Sequence, residues 1–229
     1  MSQVSKQMIK NLSIDCVVFG FENNKLELLL IKRKSNPSKD SWALPGGFVL
    51  KTETLDEAAV RILEENSNVK NIYLEQVHTF SRIDRFPLRR VISVAYFALI
   101  DPENHFLKPG VDTTDVKWFQ VNEKIEFPFD HAEIFQRALK RLRQRVRTKP
   151  IGFELLPEKF SLTQLQNLYE CILDENMDKR NFRKRILSYN MLIPLDEYQE
   201  GVAHRAARLY KFDSKEYQNF IDKGFNFQL

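Results

Sequence analysis

Between Pro45 and Val69 this chain carries a turn, a cap and an apolar stripe whose spacing leaves little freedom to the fold around it. Gly46 and Gly47 follow Pro45. Glu53 comes six residues after Gly47, Arg61 eight after that, and Leu63, Glu65 and Val69 complete the series. Thr54 with Glu57 is a capping box: the hydroxyl accepts from the third backbone N–H of a helix, and the carboxylate accepts from the N–H of the cap itself. Leu55, Ala58, Ala59, Ile62 and Leu63 recur at i, i+3, i+4, i+7 and i+8, which places them on one side of a helix. A strand and turn over 42–49 therefore lead into a capped helix over 55–66.

This spacing resembles the Nudix box. Gly47, Glu53, Arg61, Leu63, Glu65 and Val69 fit it, whereas Ile62, Asn66 and Asn68 stand where the pattern has Glu, Glu and Gly. Nudix enzymes hold Mg²⁺ or Mn²⁺ with carboxylates of that helix and activate water against a diphosphate. Mg²⁺ is a hard octahedral cation, and the ion supplies most of the catalysis by generating the nucleophile and clamping charge. Positions 62, 65 and 66 lie three and four residues apart, on one face; here they are Ile, Glu and Asn. Glu64, two residues from position 62, falls on the far side of the helix. A surviving enzyme would have to rebuild a metal site from Glu53, Glu65 and either Glu64 or Glu57. The resemblance therefore implies a Nudix fold with no catalytic residue, no bound metal and no cofactor.

At 229 residues the chain accommodates one large domain or two modest ones. Cys16 and Cys171 lie far apart, each in an apolar run, and read as reduced core residues of a cytoplasmic protein. The first ten residues are polar and no apolar run approaches a membrane span, so neither a signal peptide nor a membrane partner is expected. The net charge of +4 is mild, but it is concentrated. Arg137, Lys140, Arg141, Arg143, Arg145, Arg147 and Lys149 form one block without an acid, and Lys179, Arg180, Arg183, Lys184 and Arg185 form another. Such blocks suit contact with an anion, often a nucleic acid; as plain charge runs they equally suit solvated faces.

Strands are predicted at 12–21, 25–32, 73–81, 91–100 and 116–121, with the fourth apolar on both faces and hence central. A helix over 130–147 carries Ile134, Phe135, Ala138, Leu142 and Val146 as its apolar seam. Pro150 and Gly152 then break the pattern. The fold class is α+β: residues 1–148 form a mixed-sheet sandwich and 149–229 a second domain.

In that second domain Ser161 with Gln164 is another capping box, opening a helix with Leu162, Leu165, Leu168, Tyr169 and Ile172 at helical spacing. A turn over 174–177 leads to a short helix capped by Asp178, with Phe182, Ile186 and Tyr189 inward. Two β-prone stretches, 191–195 and 207–212, flank a polar loop containing Gly201. Helix, turn, basic helix and β-hairpin is the order of a winged helix-turn-helix. Arg180, Arg183, Lys184 and Leu187 are then expected to face outward, with Lys179 at the exposed first turn. His204, Arg205 and Arg208 fall in or beside the wing. A small helical bundle with a basic surface, built for dimerisation, is the competing reading.

A Nudix-like domain with a failing box and a C-terminal winged helix resembles the Nudix-related transcriptional regulators. Three segments carry the likeness: 42–69, RIDRFPLRRVISVAYFA at 82–98, and 153–212 with FELLPEKFSLTQLQNLYE, MDKRNFRKRIL and ARLYKF. The resemblance implies a homodimeric repressor on a palindromic double-stranded operator, with a sugar or ADP-ribose-like effector in the Nudix domain. Arg82, Arg85, Arg89 and Arg90 crowd one loop and suit phosphates; solvated charges or contacts with a dimer partner suit them as well. Asp84 and Glu53 are candidates for orienting effector hydroxyls. An active hydrolase of nucleoside-diphosphate sugars, or a protein-binding adaptor on a dead scaffold, are the alternative functions.

Overall fold

A computed structural model describes residues 7–70, 72–200 and 206–222. They divide into two compact units, one of residues up to Gly20 with Glu27–Arg141, the other of Phe21–Leu26 with the chain from Leu142 onward.

The first unit is built on seven strands: β1 (Met8–Glu22), β2 (Lys25–Arg33), β3 (Trp42–Ala43), β4 (Gly46–Leu50), β5 (Tyr73–Phe80), β6 (Ile92–Leu99) and β7 (Thr113–Gln120). The sheet runs β3-β2-β1-β6-β5, with β4 paired to β1 and β7 to β2. β1 and β6 are parallel, whereas β5 is antiparallel to β6 and β4 to β1. The sheet is therefore mixed, as expected. β6 lies between β1 and β5, so both of its edges are paired, and every residue from Ser93 to Leu99 is buried, so both of its faces are covered.

Helix α1 (Leu55–Ser67) lies on one face. Ala58, Ala59, Ile62 and Leu63 pack there into one cluster with Ile14, Cys16, Val18, Val94, Tyr96 and Ala98. Helix α2 (His131–Thr148) begins in the same unit, where the Phe135 ring meets Phe19 with centroids 6.4 Å apart. Each buried aliphatic side chain contributes roughly 1.5–3 kcal/mol of transfer free energy. Burial of these apolar positions thus holds the sheet and α1 together.

The second unit contains α3 (Leu162–Leu173), α4 (Lys179–Ser188), α5 (Ser214–Asp222) and the small sheet β8-β10-β9, from β8 (Phe160–Ser161), β9 (Leu192–Tyr198) and β10 (Arg208–Phe212). Leu165, Leu168, Tyr169 and Ile172 of α3 are fully buried, and Phe182 of α4 packs against Tyr169, centroids 5.9 Å apart. Asn24, at the tip of the β1–β2 hairpin, belongs to this unit and accepts hydrogen bonds from Asn167 and Cys171. Helix, turn, helix and antiparallel hairpin stand in the order read from the sequence. The hairpin loop holding Gly201, His204 and Arg205 lies outside the described residues. No helix among the described residues is long and apolar enough to cross a membrane.

Candidate functional site

The capping box of α1 closes as its spacing dictates. The Thr54 hydroxyl accepts from Glu57 N at 3.3 Å, and Glu57 Oε2 accepts from Thr54 N at 2.8 Å. Glu53 then ties the loop to the helix. Its Oε1 accepts from Leu50 N at 2.8 Å and from Arg61 Nη2 at 2.6 Å, and its Oε2 accepts from Arg61 Nε at 2.8 Å. Arg61 also donates to the carbonyl of Phe48 at 3.0 Å and to Glu65 Oε2 at 2.8 Å. The Arg61 hydrogen bonds hold the Glu53 carboxyl below the usual carboxylate range, and the same pair raises the Arg61 guanidinium. Glu53, a candidate for orienting an effector, thus has both oxygens engaged in bracing the box.

The face that would carry metal ligands is arranged differently. Ile62 is buried, and a Cβ placed on Gly47 would lie 3.1 Å from its Cγ1. Asn66 Nδ2 donates to the carbonyls of Ile62 at 2.8 Å and Gly46 at 3.4 Å. A neutral N–H₂ donor meets two converging carbonyl oxygens there; a carboxylate would face them with no donor. Glu65 is exposed and held by Arg61. These residues do not fit a hard divalent cation, which asks for anionic or neutral oxygens directed at one point. Asn68, where the pattern has Gly, takes the left-handed conformation at φ 63° and closes α1 by donating its N–H to Glu64 O. Asn tolerates that conformation better than most residues, so this third departure leaves the helix end intact. Gly46 is required by a close approach: a Cβ there would lie 2.6 Å from Asp15 Oδ1.

The arginine loop divides into an anchor and a rim. Arg85, expected at the surface to meet phosphates, is buried. Its Nε and Nη2 donate to the two oxygens of Asp130, both at 2.8 Å, and Nη2 also reaches Asp15 Oδ2 at 2.9 Å. Burial works against its charge, and the hydrogen bonds and charges of Asp130 and Asp15 overcome that and raise its pKa. Ser93 donates to the same Asp15 oxygen at 2.6 Å. His131 Nδ1 accepts from Leu44 N at 3.1 Å, which leaves the Nε2 hydrogen facing Asp15 Oδ1 at 3.6 Å. Burial pushes the His131 pKa down, which favours the neutral ring. Sequence reading passed over Asp15, Ser93, Asp130 and His131. An acid inside the apolar run 14–19 was the one local signal, because a buried carboxylate requires partners.

The rim residues are exposed. Arg89 lies over the Phe48 ring, 4.6 Å from its centroid, which brings it to the box. Arg90 donates to the carbonyl of Ser81. Arg82 lies 3.6 Å from Asp84 and 3.9 Å from Glu133, beside the start of α2. An open cleft of about 1100 Å³ lies between α1 and β5, with Val60, Ile72 and Leu74 on its apolar part and Asp56, Glu64 and Gln76 among its polar residues. Tyr96 donates to Asp56 Oδ1 there at 2.6 Å.

In the second unit, Ser161 and Gln164 close their capping box, and Asp178 accepts from Asn181 N at 2.8 Å. Phe182 and Ile186 are buried; Lys179, Arg180 and Lys184 are exposed. Arg183 departs from its expected outward position. It is half-buried and donates to Thr163 Oγ1 at 3.0 Å. Arg208 ties the wing strands by donating to Leu195 O at 2.7 Å and Asp196 Oδ1 at 2.8 Å. In the longer basic block three arginines are engaged within the protein: Arg141 by Glu75, Arg143 by Ile172 O, Arg147 by Glu175. The block on α4, by contrast, presents Lys179, Arg180 and Lys184 with no ion-pair partner among the described residues.

Comparison with known proteins joins the two halves. The chain matches the NUDIX domain over residues 10–139 and the NrtR DNA-binding winged helix domain over residues 152–212. It is 33% identical over 210 residues to the ADPR responsive transcriptional repressor NtrR of Acinetobacter baylyi, covering 90% of this chain and 83% of that one. The crystal structure of Shewanella oneidensis NrtR complexed with a 27mer DNA is similar with a TM-score of 0.82 at 27% identity, over 94% of this chain and 97% of that one. The NUDIX domain of the same Shewanella protein complexed with ADP ribose gives a TM-score of 0.55 at 28% identity, over 62% of this chain and 94% of that one. Profile, relative and architecture agree: this chain belongs to the NUDIX-domain family, among the members that end in an NrtR-type winged helix.

Proposed function

We propose that this protein is an ADP-ribose-responsive transcriptional repressor. Residues 1–148 form the effector-sensing domain and 149–229 the DNA-binding domain. The observation that carries the reading is that one chain joins a NUDIX fold, with Ile62 and Asn66 at its metal positions, to a winged helix whose α4 presents cations with no ion-pair partner among the described residues. The relatives of the same two-domain build, one ADPR-responsive and one crystallised with DNA, support effector and partner alike. Arg89 beside Phe48 offers a cation at the box for a diphosphate, and Arg82 and Asp84 extend that rim.

In this reading the protein acts in the cytoplasm as a homodimer. A two-fold dimer carries two recognition helices and so reads a palindromic operator. It turns over no ADP-ribose, because two of the three metal positions hold no carboxylate. The test is a paired measurement on the intact protein. ADP-ribose should raise the melting temperature, since a ligand that binds the native state stabilises it by mass action, and it should weaken binding to an operator selected from random DNA. A melting temperature raised by a free pentose and not by ADP-ribose would replace the effector. Steady Mg²⁺-dependent hydrolysis abolished by Glu65→Gln would restore the enzyme.

A further inference from the structure

The arc that α4 exposes is not the arc its basic composition suggests. With Phe182 and Ile186 packed inward, the roughly 100° step of a helix directs Arg180, Asn181, Lys184, Leu187 and Ser188 away from the core and leaves Arg183 on the flank. Burial follows that projection, with Arg180, Asn181 and Lys184 exposed and Arg183 half-buried. Arg183 Nη2 donates to Thr163 Oγ1 in the first turn of α3, and its Nε is enclosed without a hydrogen-bond partner among the described residues. A guanidinium reads guanine with two parallel N–H groups. With Nη2 donating to α3 and Nε covered, the Nε–Nη2 edge of Arg183 is turned to the protein and does not offer that fork.

Asn181 is placed the other way. Its backbone N–H is taken by Asp178 in the helix cap. Its side-chain amide is exposed and makes no hydrogen bond among the described residues. A carboxamide matches the donor–acceptor pair on the major-groove edge of adenine, and base contacts come from the N-terminal half of a recognition helix.

We propose that Arg180 and Asn181 read base edges, and that Arg183 is a positioning residue that braces α4 against α3 through Thr163. The inference rests on the DNA-binding reading above. A brace of this kind sets the direction in which α4 enters the groove. Its loss weakens phosphate and base contacts together and leaves the preferred sequence unchanged.

The test uses the full chain: selection from a random DNA pool, then binding to the selected site and to a scrambled one. Arg180→Ala and Asn181→Ala should each flatten the preference at particular positions and lose roughly 5- to 150-fold on the selected site, with little change on scrambled DNA. Arg183→Ala and Thr163→Val should lower binding to both DNAs by similar factors and keep the selected motif. Arg183→Ala erasing the preference at a position that Asn181→Ala leaves intact would overturn the proposal, as would unaltered binding to both DNAs. Should Arg183→Ala fail to fold, Thr163→Val carries the same test. Weaker binding with the same motif supports the brace; a new or sharper preference means that the freed Arg183 reads DNA and ends it. If the unaltered protein enriches no motif, the DNA-binding reading falls and takes this inference with it. A motif that is enriched but indifferent to Arg180 and Asn181 sinks the inference alone.

Discussion

Asn66 donates its side-chain amide to the carbonyl oxygen of Gly46 at 3.4 Å, bridging the C-terminal half of α1 and the glycine turn that opens β4. The same amide holds Ile62 O at 2.8 Å, one helical turn back. Position 66 is therefore built for a hydrogen-bond donor, and position 62, packed against Gly47, for an aliphatic side chain.

Restoring the family carboxylates should accordingly damage the fold. Ile62→Glu places an acid at a site 1% exposed, and the expected loss is roughly 3–5 kcal/mol, since a buried carboxylate without partners is among the costliest substitutions. Asn66→Glu should cost about 1–2 kcal/mol by removing a donor from two carbonyls. Urea unfolding measures both. Neither variant, nor the pair, should hydrolyse ADP-ribose in Mg²⁺; turnover by the double variant would show that the metal face needs only these two side chains.

Arg85 joins the arginine loop to strand β1 through Asp15 and to the start of α2 through Asp130. Arg85→Met would leave two buried acids without their cation. A loss of about 3–5 kcal/mol is expected, because removing one partner of a buried ion pair strands the other charge. Arg89→Met, on the exposed rim, should change stability by roughly 0.5 kcal/mol or less while weakening the response to ADP-ribose. Chemical denaturation and thermal shift separate the two. Equal stability losses would refute the division into anchor and rim.

Acid should destabilise the NUDIX unit through His131. Its folded-state pKa is depressed by burial below the ordinary 6.5. The unfolded chain therefore binds the proton more readily, and stability rises with pH in that range. The contribution is complete above the unfolded value. It is lost as pH falls from there to the lowered folded value, and levels off below it. His131→Gln should flatten this slope as pH falls below the ordinary 6.5, measured as unfolding free energy against pH. An unchanged slope would assign the acid sensitivity to other groups.

Lys179 and Lys184 are exposed on α4 and suited to phosphate. Each alanine substitution should weaken binding to every DNA sequence alike and reduce the slope of log affinity against log salt by about one. Folding should be unaffected, because Phe182 and Ile186 carry the packing of this helix. A substitution that lowers affinity without moving the salt slope would remove that lysine from the phosphate contacts.

What could be read from the sequence is what short range decides. Thr54 with Glu57, Ser161 with Gln164 and Asp178 with Asn181 each close over three residues, so the starts of α1, α3 and α4 depend on little beyond their own segments. Apolar periodicity likewise set the strands, the covered faces of β6 and the inward side of α4, because burial of apolar area dominates wherever the repeat is regular. Tertiary structure alone decided which charges are free. Arg85 meets Asp15 across 70 residues and Asp130 across 45, and Arg183 meets Thr163 across 20. An arginine looks the same in a sequence whether it faces solvent, a phosphate or a buried acid. Only the packing that brings distant segments together settles its partner, and the cost of leaving a charge unpaired in the interior then holds it there.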